Sequence, residues 1–428
     1  MQTDLTIINK WSFAQKIFFR FFAFFLFISV FPFPLGSLPL THTLSSWYHT
    51  IFDSLISFTG KHLFHINFPL APTTNGSGDT TYNYVQLFLF VVLTIIVTIG
   101  WTVADRRRKN YDQLLYLLII YLRYYLGFTI IYYGLEKLIK TQFPFPYNSL
   151  NETYGQSSPS RLLWNFMGYS TAYNVFMGLS ETIGGFLLFF RKSTTLGALI
   201  CIMVLSNVVM LNFCFDVAVK LHSLVMLFIA IFITIPEAKR LIDFFLRNKA
   251  VPAANLQSKF TGERMKIILG GIRFMLIIYI VYSTLMHVVA KYSIKGDGAF
   301  KKTPLFGIYT VEKFKNYSDT SQLFNADAEQ WEALNVIFPK QASIKMVNGN
   351  IRACDFFTDT VNKKIQISIP NDSTYKSTFF YSVPDSAHLV LSGKMKDDSV
   401  YIFLQKQDMN QFPLINRGFH WINEFPYK

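Results

Sequence analysis

The sequence predicts a membrane-embedded bundle of α-helices followed by a water-facing antiparallel β domain, either a barrel or a sandwich. Three observations lead there. Of the 428 residues, 51% are hydrophobic and only 15% charged, whereas soluble domains carry about 25% charged residues. The apolar residues collect into roughly seven runs of membrane-crossing length ahead of Lys291. Beyond it the pattern changes to short strand-like segments separated by turn dipeptides.

The first run, Phe13 to Leu35, carries Lys16 and Arg20 near its start and lacks a small-x-small cleavage site. It therefore reads as an uncleaved helix. A polar connection follows, within which Leu44 to Phe64 has helical periodicity suited to a membrane surface. The second span, Tyr84 to Val103, ends at Arg106, Arg107, Arg108 and Lys109, a block that belongs in the cytoplasm. The third runs from Leu114 to Ile139, ahead of a Pro/Asn/Ser-rich loop from Thr141 to Ser160. The fourth is Tyr169 to Phe190, stopping at Arg191 and Lys192. The fifth, Leu196 to Phe215, turns through Asp216 into the sixth, Leu221 to Ile235. A basic stretch from Lys239 to Lys266 precedes the seventh, Ile267 to Ala290. Alternation puts every basic cluster on one side, the N-terminus inside and everything after Lys291 outside.

Strand-like runs then occur at Leu305–Phe314, Ala333–Phe338, Ser343–Val347, Lys364–Ile369, Thr378–Val383 and Val400–Leu404. The organisation is thus residues 1–110 with two spans and an outer helical connection, and 111–250 with four spans. Residues 251–290 form a cytoplasmic linker and the last span, and 291–428 the β-rich domain. The terminal Arg417-Gly-Phe-His-Trp-Ile-Asn-Glu reads as a last strand packing Phe419 and Trp421 on the barrel, the alternative being a lid or docking surface facing the membrane.

The formal charge of +14 sits beside apolar helices, where it sets topology and touches anionic lipid, so nucleic acid is excluded as a partner. Cys201, Cys214 and Cys354 form no C-x-x-C pair, which excludes a thioredoxin-type site and a zinc ribbon. His42, His49, His62 and His65 have no H-x-x-x-H spacing, and no metal site is predicted. No phosphate-cradling Gly-rich loop or nucleophile elbow occurs. Asn75, Asn151, Asn316 and Asn371 begin glycosylation sequons that matter only in a eukaryotic secretory pathway.

Ionisable groups at bilayer depth cost roughly 3 kcal/mol each and need a partner or a purpose. Arg123 and Glu181 each lie near the middle of their spans, entered from opposite sides. Arg123, Gly127, Gly134 and Lys137 share one helix face, as do Asn174, Gly178, Glu181 and Gly185. Small residues beside each charge allow close helix approach. An Arg123–Glu181 contact is therefore predicted, with Asn174 and Asn207 completing the network. Its role is a structural pair, a polar pocket for a small ligand or quinone headgroup, or a proton path. A second cluster, at the outer helix ends, comprises Glu136, Lys137, Asp216, Lys220 and His222. Glu136–Lys140 and Asp216–Lys220 are i,i+4 pairs wherever the helix continues. That cluster reads as interfacial solvation or as the mouth of a ligand site.

The segments Leu122-Arg-Tyr-Tyr-Leu-Gly-Phe and Tyr133-Gly-Leu-Glu-Lys resemble the DoxX-like family of four-helix membrane proteins. Gly178-Leu-Ser-Glu-Thr-Ile-Gly-Gly-Phe-Leu-Leu, Arg191 and Leu196-Gly-Ala-Leu continue the likeness. With its outer β domain the chain is similar to the longer Bacteroidetes-type form. The resemblance implies a bacterial inner membrane and, from named members, association with thiosulfate:quinone oxidation. The sequence has no haem, flavin or iron–sulfur motif, so a redox role requires quinone and an oxidoreductase partner subunit. The alternative is a non-enzymatic anchor whose outer domain binds a ligand or an envelope partner. A transporter is disfavoured, because paired broken helices and repeats are missing.

Overall fold

A computed structural model describes residues 11–35, 41–72, 76–252, 263–300, 303–317, 330–370, 372–395 and 398–421. The sequons at Asn75 and Asn371, and the last seven residues, lie outside that set. The chain divides into two compact units, Met1–Leu138 with Val175–Met286, and Ile139–Asn174 with His287–Lys428.

The first unit is helical. Helix α1 (Phe13–Val30) starts at a capping box, in which the Ser12 hydroxyl accepts from the Gln15 amide and Gln15 accepts from the Ser12 amide. Helix α2 (His42–His62) is the periodic segment of the first connection, and α3 (Thr81–Ala104) runs to the basic block. Next come α4 (Asp112–Leu138), α5 (Pro159–Tyr169), α6 (Thr171–Phe189) and α7 (Thr194–Cys214). Then follow α8 (Lys220–Thr234), α9 (Ala238–Phe245) and α10 (Glu263–Lys295). Among the described residues six helical stretches are long and apolar enough to cross a membrane: α1, α3, α4, α7, Lys220–Phe245 and the Arg273–Ile294 part of α10. The predicted count was about seven. The difference is α6, whose nineteen residues include Tyr173, Asn174, Ser180 and Glu181, and these lower its hydropathy.

The core of this unit joins α1, α4, α7 and α8 through residues such as Leu26, Leu122, Ala198 and Ile229, all buried. Arg20 is buried within it. Its guanidinium donates to Tyr111 Oη at 2.9 Å, Thr102 Oγ1 at 2.9 Å and the Asp105 carbonyl at 3.0 Å. The arginine near the start of the first apolar run therefore fastens α1 to the end of α3.

In the second unit, eight antiparallel strands close into a barrel in simple sequential order. They are β1 (Gly307–Asn316), β2 (Trp331–Phe338), β3 (Gln341–Met346), β4 (Ile351–Asp359), β5 (Lys364–Ile369), β6 (Asp372–Asp385), β7 (His388–Met395) and β8 (Asp398–Lys406). Closure pairs β1 with β8 from Tyr309↔Lys406 to Asn316↔Val400. Alternation drives it. Ala342, Ile344 and Met346 point inward from β3, as Val400, Ile402 and Leu404 do from β8. Eight strands leave an interior that side chains just fill, and Trp331 against Phe379, edge to face at 5.9 Å, does much of the filling.

The loop between α4 and α5 packs on this barrel's outer wall. Phe145, Tyr147 and Leu150 lie against Ile308 and Ile337, and the Asn335 amide donates to Asn151 Oδ1 at 3.2 Å. The described part of the C-terminal aromatic segment, Arg417 to Trp421, is not a barrel strand, contrary to expectation. Phe419 and Trp421 are 79% and 91% exposed and pack edge to face on each other at 5.1 Å.

Candidate functional site

The predicted glycine faces of α4 and α6 do meet. A methyl group on Gly134 would lie 2.8 Å from the Gly178 carbonyl oxygen, and one on Gly185 would lie 2.8 Å from that of Gly127. Only hydrogen fits there, so the two backbones are in direct contact. This antiparallel register sets Gly127 against Gly185 and Gly134 against Gly178. It therefore puts residue 189 opposite Arg123 and residue 131 opposite Glu181. Arg123 and Glu181 are offset by about 12 Å along the helix axis.

The expected Arg123–Glu181 contact is accordingly replaced by two others. Lys137 Nζ donates to both Glu181 oxygens, at 2.9 and 2.7 Å, and both side chains are buried. Side chains lean toward the N-terminus of their own helix, which in this antiparallel pair brings Lys137 and Glu181 together and carries Arg123 away. Arg123 instead donates from Nε and Nη2 to the Leu188 carbonyl at 2.8 and 2.6 Å. That oxygen belongs to the last turn of α6, the negative end of the helix dipole. Arg273 donates to the neighbouring Phe189 carbonyl. Asn174 donates to the Met167 and Ser170 carbonyls, and Asn207 is exposed on α7. Neither joins a network with Arg123. Asn212 is the amide that reasoning from sequence missed: it donates to Ser223 Oγ at 3.0 Å and ties α7 to α8.

In the outer cluster, Glu136 accepts from Tyr132 Oη at 2.9 Å. Lys137 lies 5.9 Å from the Tyr133 ring centre, and His222 meets the same ring edge to face at 6.2 Å. Lys220 pairs with Asp216 at 2.8 Å. They pair across a turn, since α8 starts only at Lys220 and Asp216 has φ +50°. The Lys220 hydrogen bond holds the Asp216 carboxyl below its ordinary range. Asp79, unnoticed in the sequence, caps α8 by accepting from the Lys220 and Leu221 amides at 2.8 and 3.0 Å. Helix α4 stops at Leu138, so Lys140 does not form the i,i+4 pair with Glu136. It pairs with Asp297 at 3.1 Å. Among the described residues no three His, Cys, Asp or Glu side chains are grouped to hold a metal.

One cavity of about 460 Å³ opens at the basic end of the first unit. Arg123, Arg191, Lys192 and Arg240 line it, against one carboxylate, Glu237. Glu237 is paired with Arg240. Arg123 is 6% exposed, and among the described residues no carboxylate lies within ion-pair distance of it. The Arg191 guanidinium lies 5.3 Å from the Tyr116 ring centre. The opposite wall is apolar, with Ile119, Ile120, Ile233 and Phe244. Thr194 and Thr195, at the start of α7, complete it. Such a site is built to hold negative charge beside an apolar group.

The chain is similar to a Bacillus subtilis (strain 168) protein named "Uncharacterized protein YwoB", 28% identical over 123 residues, which is 29% of this chain and 79% of the relative. No family model matches the chain, and no solved structure matches it. Six membrane-capable helices among the described residues and a closed eight-stranded barrel describe a multi-pass membrane protein in contact with a lipid bilayer.

Proposed function

We propose that the protein is a membrane-anchored ligand-binding component of the bacterial envelope, taking an anionic ligand in the cavity at the basic end of its bundle. The observation that carries this reading is Arg123, a buried guanidinium without a carboxylate partner, lining a cavity with three further cations. Uncompensated positive charge at such depth is costly. A bound anion would offset that cost, beyond what the α6 carbonyls supply.

On this reading the middle helices form a DoxX-like four-helix bundle in the inner membrane, with α6 as a seventh crossing. The close packing of α6 along α4, itself a span, supports that crossing. Positive loops then set the N-terminus and the cavity on the cytoplasmic side and the barrel on the periplasmic side, where it is available to an envelope partner. The quinone-linked alternative needed Arg123 and Glu181 to share a headgroup, and their separation by register weakens it.

The test is thermal unfolding of the full-length protein in neutral detergent, titrated with sulfate, phosphate and acetate at constant ionic strength. A saturable rise in midpoint is expected with at least one anion, and its loss in Arg191→Gln. If no anion raises the midpoint above the ionic-strength control, the reading fails.

A further inference from the structure

We infer that the cavity at the basic end of the bundle takes a phosphate monoester, an inference that rests on the anion-binding reading above. The donors are of the kind a tetrahedral dianion uses. Three of the four cations are arginines. Arg123 spends Nε and Nη2 on the Leu188 carbonyl, and Arg240 spends Nε and Nη1 on Pro252 and Glu237. Each guanidinium has five N–H groups, so both retain donors for phosphate oxygens. A carboxylate offers two oxygens, too few to satisfy several forks at once; a phosphate monoester offers three terminal oxygens and up to two charges.

The start of α7 supplies a second kind of donor. No side chain caps its first turn, because the Ser193 hydroxyl donates to the Leu187 carbonyl at 2.8 Å instead. Thr194, Thr195 and Leu196 of that turn line the cavity. Uncapped first-turn amides and the positive end of a 21-residue helix therefore meet the same space as the guanidinium groups. Opposite ends of the α6–α7 turn are treated differently. Arg123 and Arg273 cover the carbonyls that end α6, which leaves the α7 amides to an incoming anion.

The cavity is larger than a bare phosphate needs, and its apolar wall of Ile119, Ile120, Ile233 and Phe244 suits an organic group on the ester oxygen. Helix α9 forms part of the rim. Phe244, Phe245 and Leu246 are exposed there beside Lys239, Arg240 and Arg247, the composition of a helix lying at an anionic membrane surface. Both a phospholipid headgroup and a soluble phosphate ester present this chemistry to the same donors.

Isothermal titration of the full-length protein in neutral detergent separates the sources. The probes are dihexanoyl phosphatidic acid, glycerol 3-phosphate, dihexanoyl phosphatidylcholine and hexanoate. Saturable binding of the phosphatidic acid is expected, with affinity reduced at least tenfold in Arg191→Gln and in Arg240→Gln, each checked for an unchanged unfolding midpoint without ligand. Weak glycerol 3-phosphate binding beside tight phosphatidic acid binding identifies a lipid headgroup, and equal binding identifies a soluble ester. Hexanoate or phosphatidylcholine binding as tightly as the phosphatidic acid overturns the phosphate assignment; in the hexanoate case the anion-binding reading survives. No binding by any probe overturns both.

Discussion

Lys137 and Glu181 show how a buried charge finds its partner through helix register and side-chain lean. The pair is short and enclosed, so removing one member should cost more than removing both. Lys137→Met is expected to lower full-length stability by about 3–5 kcal/mol, and Lys137→Met with Glu181→Gln to recover most of that loss. Thermal unfolding of the four members of the cycle in detergent checks it; a double variant as unstable as the worse single would sink the pairing. Arg123 and Glu181 were legible as charges needing burial, because ionisable residues stand out in apolar helices, and both are buried. Their partners were not, because a partner depends on the offset between two helices, to which neither sequence alone refers. Equal residue counts from opposite ends assumed equal spans, yet α4 has 27 residues and α6 has 19. Asn207 and Asn212 illustrate the same limit. They are five apart on one helix and so face different directions, and only contact with Ser223 distinguishes the useful amide.

The α4–α6 contact gives glycine substitutions opposite signs at the element scale. Gly134→Ala or Gly178→Ala should lower the unfolding midpoint, since the added carbon meets backbone oxygen at 2.8 and 2.7 Å. Gly100→Ala in α3, which meets nothing within 4 Å, should be neutral or raise stability by up to about 1 kcal/mol through helix propensity. Equal midpoints for all three variants would refute direct backbone contact. In the barrel, the β6–β7 turn carries Asp385 paired with His388 Nδ1 at 2.8 Å. That hydrogen bond, helped by the Ala387 amide, holds the Asp385 carboxyl below its ordinary range. A depressed carboxylate stabilises fully above its unfolded pKa and loses the effect as pH falls through the folded value. Asp385→Asn should therefore flatten the acid limb of hydrogen-exchange protection in this turn and leave the limb above neutrality unchanged. Six of the eight strands were legible from alternation. β4 and β7 were not: β4 puts Arg352 on the inward parity of Cys354 and Phe356 and exposes Phe357 on the other face, and β7 contains Ser392-Gly-Lys, which reads as a turn. The loop from Thr141 to Ser160 looked like a bare connection, because its Phe145, Tyr147 and Leu150 gain meaning only against Ile308 and Ile337.

The arrangement of the whole molecule across a membrane is testable with the native thiols. Cys214 is exposed, and Cys354 is buried inside the barrel. On the proposed topology an impermeant maleimide applied to intact spheroplasts should label Cys214, while a Lys249→Cys probe should label only after permeabilisation. Labelling of position 249 from outside would overturn the topology. Burial pushes the Cys354 thiol up to about 12, so it stays protonated at working pH and should react only after denaturation. The division into bundle and β domain was legible because composition changes abruptly near Lys291, whereas closure of the barrel was not, since it depends on pairing between residues about 90 positions apart. That pairing has a consequence for biogenesis. Until β8 has been synthesised, β1 has no second neighbour, and the nascent sheet presents two bare edges to whatever else is unfolded nearby. Completion is thus all-or-none with respect to chain length: a chain arrested before Lys406 would display open edges prone to aggregation, and a finished one, having no free edge, would be closed to recruitment by strand addition.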